Sequence, residues 1–144
     1  MEMEIDKRYQ TLLILWLAML MNIGLLFLVA FIAAQEETKP ASQLLTLALV
    51  ALGTFLVVIS FAVKRKFIQR SVDRQDVSLV QKGLIVAWAI CEVCALIGLL
   101  ERFLMGNRDY FILFLQAAVG IALHFPRPDY LKSASYKTPS TGGF

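Results

Sequence analysis

The chain is poor in charge. Aspartate, glutamate, lysine and arginine make up 17% of its 144 residues, against about 25% in an ordinary soluble domain. The net charge of +3 gives no case for nucleic acid, because the basic residues stand beside apolar runs. There is one histidine, His124, and two cysteines, Cys91 and Cys94. A single histidine cannot supply both axial ligands of a bis-histidine haem within one protomer. Two cysteines inside one apolar run do not make a disulfide framework. The sequence has no glycine-rich phosphate loop, no cluster of metal ligands and no nucleophile–base pair. It therefore predicts no cofactor, no metal and no enzymatic activity.

Long hydrophobic runs are what the chain has instead. It is 58% hydrophobic with a mean hydropathy of +0.68, and the apolar residues fall in blocks rather than at helical or alternating spacing. The blocks cover 11–33, 44–63, 83–104 and 110–125. A bilayer crossing takes about 20 apolar residues at ~1.5 Å rise each. The first block exceeds the ~7–15 residues of a signal-peptide core, and no convincing cleavage site follows, so it is read as a retained helix. Residues 34–43 form a short acidic turn with Pro40. The segment 64–82 is the only sizeable polar stretch between blocks. Its Phe67, Ile68, Val72, Val77 and Val80 are spaced so that both flanking helices extend through it, with the turn at 73–76. Residues 105–109 read as a tight Gly-Asn turn. The fourth block is short and is ended by Pro126 and Pro128, and a polar tail follows.

The fold class expected is all-α: one integral membrane domain, 1–144, forming an antiparallel four-helix bundle. Eleven of the fourteen Lys and Arg residues lie in the N-terminus, the 64–82 loop and the tail. The positive-inside rule then puts both termini and that loop in the cytoplasm, with the chain in a bacterial inner membrane.

The third block carries one ionisable side chain near its middle, Glu92. An ionised carboxylate there costs at least ~2.5–3.5 kcal/mol, so it should be protonated, paired or turned to a wet interior. Asn22, Thr54 and Gln116 fall at the same depth, one on each other helix. Polar groups in hydrocarbon seek one another. Two readings stay open: a hydrogen-bonded packing layer, or a proton- or cation-binding site with Glu92 titrating and Asn22, Thr54 and Gln116 around it. Ala87, Cys91, Cys94 (or Ala95) and Gly98 form a stripe of small residues that lets helices approach closely. Cys91 and Cys94 form a C-x-x-C, read as packing because apolar burial disfavours thiolates. His124 is a second candidate site, placed at the interface to meet a lipid headgroup, cap carbonyls or serve a proton path. Glu101 and Arg102 read as a snorkelling pair, and Trp16 and Trp88 as core or headgroup-depth aromatics.

With Arg74-Gln75-Asp76 in the loop and Glu92 followed by Ala95-Leu96, Ile97 and Gly98-Leu99, the second and third helices resemble the hairpin of the proteolipid (c-type) subunits of rotary ATPases. That resemblance implies a proton-binding role for Glu92. The chain departs from the family in having only Gly53 in its second helix, where a glycine series is usual, and in lacking the loop proline. The whole chain, with W-A-I-C-E in helix three and H-F-P-R-P after helix four, more closely resembles small four-helix bacterial membrane proteins of unassigned function. The small multidrug transporters share the size, but their essential glutamate falls where this chain has Asn22. The expected partners are the lipid bilayer and either further copies or a larger membrane complex. In the latter case the chain is a non-catalytic accessory subunit docking through its small-residue stripe.

Overall fold

A computed structural model describes residues 2–32, 43–106 and 109–135, with side chains from residue 5 onward. It is all-helical over these residues. In order, the helices are α1 (Glu2–Ile32), α2 (Gln43–Arg74), α3 (Val77–Met105), α4 (Phe111–Leu123) and α5 (Pro128–Ser135). Three are long and apolar enough to cross a membrane, over Ile5–Ile32, Gln43–Arg74 and Val77–Met105. A fourth crossing is available if α4 and α5, bent by 46° at their junction, act as one span.

The polar segment between the second and third blocks folds almost wholly into helix. The reversal between α2 and α3 needs only Gln75 and Asp76. Gln75 takes a left-handed conformation (φ 50°) and its N–H reaches Val72 O, while Asp76 N–H reaches Ser71 O. This pair of bonds closes the last carbonyls of α2 as a Schellman ending does. Asp76 then serves as N-cap of α3, accepting from Ser78 N–H at 2.8 Å. The turn thus lies at the end of the expected 73–76 window.

Hydrogen bonds from Ser78, its hydroxyl first and its backbone N–H second, hold the Asp76 carboxyl below its ordinary range. A carboxylate favoured in this way stabilises the fold above its ordinary value and loses that contribution as pH falls through the depressed one. Amide exchange at Ser78 and Leu79, taken relative to the intrinsic rate at each pH, should therefore speed up in acid. Asp76→Ala should speed it at neutral pH, and Asp76→Asn, which still accepts, should remove the acid response.

Two ends differ from the sequence reading. The first helix begins at Glu2, not near Thr11; its extension includes Ile5 and Tyr9, which pack against the core. The tail is not simply polar: Pro128, whose missing N–H costs nothing in a first turn, opens α5, which buries Leu131 and Ala134. Residues 33–42, which hold all but the last position of the expected 34–43 turn, and residues 136–144 lie outside the described residues, as do two positions of the Gly-Asn turn. Gly106 ends α3 at φ 64°, its N–H on Arg102 O.

The core lies along α3. Ala87, Cys91, Cys94, Ala95 and Gly98 are all buried. A Cβ on Gly98 would lie 3.0 Å from Leu113 Cβ and 3.1 Å from Tyr110 O, so α4 crosses close to the α3 backbone there. Gly120 of α4 faces Cys91 and Val57 in the same way. The small-residue stripe is therefore an internal seam. It is not an outward docking face, because α2 and α4 already fill it. The outer faces carry apolar side chains such as Ile14, Met21, Leu25, Phe55, Leu104 and Leu115.

Proline ends α4 inside this apolar assembly, which leaves its last carbonyls short of donors. Ile121 O still takes the His124 N–H at 3.0 Å, and two indoles add donors at this end. Trp16 Nε1 donates to Ile121 O at 2.9 Å, and Trp88 Nε1 to His124 O at 3.1 Å. Trp88 is fully buried, so of the two positions expected for it the core is the one observed.

Candidate functional site

The four mid-depth polar residues come together as two pairs. Asn22 Nδ2, from α1, donates to Glu92 Oε1 on α3. On the other side Gln116 Nε2, from α4, donates to Thr54 Oγ1 at 2.9 Å and to Val50 O at 3.2 Å, both on α2. Thr54 Oγ1 itself donates to Val50 O at 2.9 Å. Among the described residues no hydrogen bond joins Glu92 to Thr54 or Gln116. Glu92 is half-buried, while Asn22 and Thr54 are exposed on the surface of the chain.

Gln116 Oε1 is buried without a hydrogen-bond donor. It lies against the backbone at Gly53, where a Cβ would collide with it and approach Leu113 Cδ2 to 2.8 Å. The glycine leaves room for the amide against α2, and a Cα hydrogen faces the oxygen, a weak compensation worth about half an ordinary hydrogen bond. Cys94 Sγ donates to Gly53 O at 3.5 Å from the third helix. One glycine thus receives both neighbours.

A second polar group lies about two helical turns further along α2 and α4. His124 is fully buried, as are Ser60 and Cys91. His124 Nδ1 is 2.6 Å from Gly120 O and Nε2 is 3.2 Å from Ser60 Oγ. Ser60 Oγ is also 2.6 Å from Val57 O and accepts from Cys91 Sγ at 3.4 Å. With Nδ1 protonated toward Gly120 O, a neutral ring leaves Nε2 as an acceptor, and the one serine proton must choose between it and Val57 O. The chain Cys91–Ser60–His124 can therefore run in one direction only while the ring is neutral. Phe61 packs on the imidazole with ring centroids 4.3 Å apart.

Burial removes His124 from any lipid headgroup, and of the roles expected for it the capping of a carbonyl is the one observed, at Gly120 O. The sequence also missed the thiol–hydroxyl–imidazole arrangement, whose members come from three helices. With all three groups enclosed, no substrate reaches the sulfur or the hydroxyl. Cys91 and Cys94 are free thiols, in keeping with their reading as packing residues.

Glu101 and Arg102 also differ from expectation. They are 3% and 9% exposed, where a snorkelling pair would reach out. Arg102 Nη1 donates to Gly106 O at 3.3 Å, and its guanidinium lies 5.3 Å from the Tyr110 ring centroid. The arginine thereby joins the end of α3 to the start of α4. Glu101 is a buried carboxyl near the C-terminal end of α3, beyond the Ser60–His124 group, which meets α3 at Cys91.

No family model, curated protein or solved structure matches this chain. The geometry alone carries the functional argument. Among the described residues no group of three or more His, Cys, Asp and Glu side chains is arranged to hold a metal ion. What the Asn22–Glu92 pair can do chemically is simple. The amide satisfies one carboxyl oxygen in either protonation state, which leaves the other free to take up or release a proton.

Proposed function

We propose that the chain is a multi-pass membrane protein of the bacterial inner membrane, a four-helix antiparallel bundle in which Glu92 binds a proton at mid-depth. α1, α2 and α3 span the bilayer, and α4 with α5 makes the fourth, shorter crossing. Both termini and the α2–α3 turn face the cytoplasm, as the distribution of basic residues requires. No catalytic chemistry is assigned to it. The reading is proteolipid-like in one respect, a carboxyl at mid-depth on the second arm of a helical hairpin.

The observation that carries this reading is the hydrogen bond from Asn22 to Glu92 across α1 and α3. A carboxyl at this depth is costly when ionised and alone. Among the described residues it has one hydrogen-bond donor, the Asn22 amide, and a proton on its second oxygen would remove the charge that hydrocarbon penalises. Infrared spectra of the protein in bilayers should contain a protonated-carboxyl C=O band that Glu92→Gln removes and Glu101→Gln leaves. A band unchanged in Glu92→Gln would overturn the assignment. Asn22→Leu should shift the band's frequency without abolishing it.

A second reading, an accessory subunit of a larger complex, is favoured by the exposure of Asn22. Its amide stands on a face with Met21 and Leu25, exposed by 69% and 58%. A polar group open to hydrocarbon on one side is better satisfied by a neighbouring helix. Cross-linking from position 21 or 25 in native membranes separates the two: recovery of a partner chain supports the subunit reading, and lipid adducts alone support the monomer.

A further inference from the structure

Where α2 leaves its apolar run, it faces the α4–α5 junction across a cleft of about 620 Å³. Its polar wall is cationic: Lys64 and Arg65 come from α2 and Arg127 from the junction, with Tyr130 of α5 beside them. Among the described residues no carboxylate lines it. Lys64 and Arg127 are close enough for one charge to act on the other, and Lys64 is only 8% exposed. Its Nζ lies 5.2 Å from the Tyr130 ring centroid, a cation–π contact that holds the ammonium in the wall. Three like charges gathered without a counter-charge are unfavourable unless an anion joins them.

The remaining wall is apolar. Phe61 and Leu123 line the same cleft. One turn nearer mid-depth, Val58 on α2 and Val119 on α4 are exposed. The cleft therefore has a cationic end at the boundary of the apolar run, where headgroup phosphates lie, and an apolar exit toward the bilayer interior. A free phosphate would use only the first; a phospholipid uses both. We infer that this cleft binds an anionic phospholipid, its phosphate between Lys64, Arg65 and Arg127 and an acyl chain along Phe61 and Leu123. Basic recesses between membrane helices on the cytoplasmic side suit such headgroups. The three cations also disfavour a zwitterionic choline headgroup, which brings a positive charge of its own.

The inference rests on the membrane placement proposed above and is independent of Glu92. Resistance of the chain to alkaline extraction from membranes scores that placement separately. The full chain, purified in mild detergent, would be examined by native mass spectrometry with added phosphatidylglycerol or phosphatidylcholine of matched chains, and with inorganic phosphate. Phosphatidylglycerol should bind in preference, and Arg65→Gln and Arg127→Gln should each weaken it about fivefold, the effect of one interfacial cation. Both arginines are exposed, so these variants keep the fold. Lys132→Gln, on the exposed side of α5, should bind as wild type does. Equal binding of the two lipids, or unchanged binding in the arginine variants, would overturn the proposal. Displacement of phosphatidylglycerol by inorganic phosphate would also overturn it, and would identify the ligand as a soluble anion.

Discussion

Replacing His124 with alanine should destabilise the protein by roughly 3 kcal/mol. That figure is the low end of the range for truncating a large buried side chain, because lipid supplies no hydrophobic drive between helices. The imidazole is fully enclosed, packed against Phe61 and hydrogen-bonded to Ser60 and Gly120. Its removal opens a cavity where α2, α3 and α4 meet. Ser60 loses less, since Val57 O remains within reach of its hydroxyl; membrane hydrogen bonds average only ~0.6 kcal/mol. His124→Gln should therefore recover part of the loss by filling space, and Ser60→Ala should cost well under half as much. Unfolding by graded addition of sodium dodecyl sulfate to the protein in mild detergent measures all three. A wild-type transition in His124→Ala would mean that the imidazole does not hold this junction.

The same junction explains how much could be read from the sequence. The four apolar blocks locate the helices because a run of apolar residues is a property of the chain itself. Matching depths along those blocks also places Asn22 beside Glu92 and Thr54 beside Gln116. Depth gives height but not azimuth, so it could not tell one four-membered layer from two pairs on opposite sides of α3. The azimuth is set by the small residues: Gly53 admits the Gln116 amide, and Gly120 admits Cys91. Ser60 and His124 lie seven or eight residues beyond Gly53 and Gln116, so the depth argument continued two turns would have paired them as well.

What misled the reading was context near the helix ends. Glu101 and Arg102 look like an interfacial pair by position, yet both are buried, with Arg102 held between Gly106 O and the Tyr110 ring. The prolines after α4 mark its end correctly. They do not show that Trp16 and Trp88, from two other helices, donate to carbonyls there, because no local pattern encodes a bond spanning 105 residues. The amphipathic α5 was legible in principle: Pro128 at a helix start, with Leu131 and Ala134 three apart, is a first-turn and one-face pattern.

Gly83→Ala should separate α2 from α3 near their turn, at a cost of about 1–3 kcal/mol for an overpacked contact. A Cβ at Gly83 would meet Phe67 Cβ at a distance no real pair of such atoms adopts, with Phe67 Cγ at 3.1 Å. The clash cannot be relieved by rotating the phenyl ring, because the nearest atom is fixed to the α2 backbone. Phe67→Ala in the same chain should therefore leave most of the loss in place, while Phe67→Gly should relieve it at the usual cost of a glycine in a helix, about 1 kcal/mol. Gly24 provides the contrast. A Cβ there meets nothing within 4 Å, so Gly24→Ala should be neutral or stabilising by about 0.5–1 kcal/mol through helix propensity alone. Detergent-titrated unfolding should then order the variants with Gly24→Ala at or above wild type and Gly83→Ala well below it. Full rescue of Gly83→Ala by Phe67→Ala would show that the ring, rather than backbone proximity, sets the α2–α3 spacing.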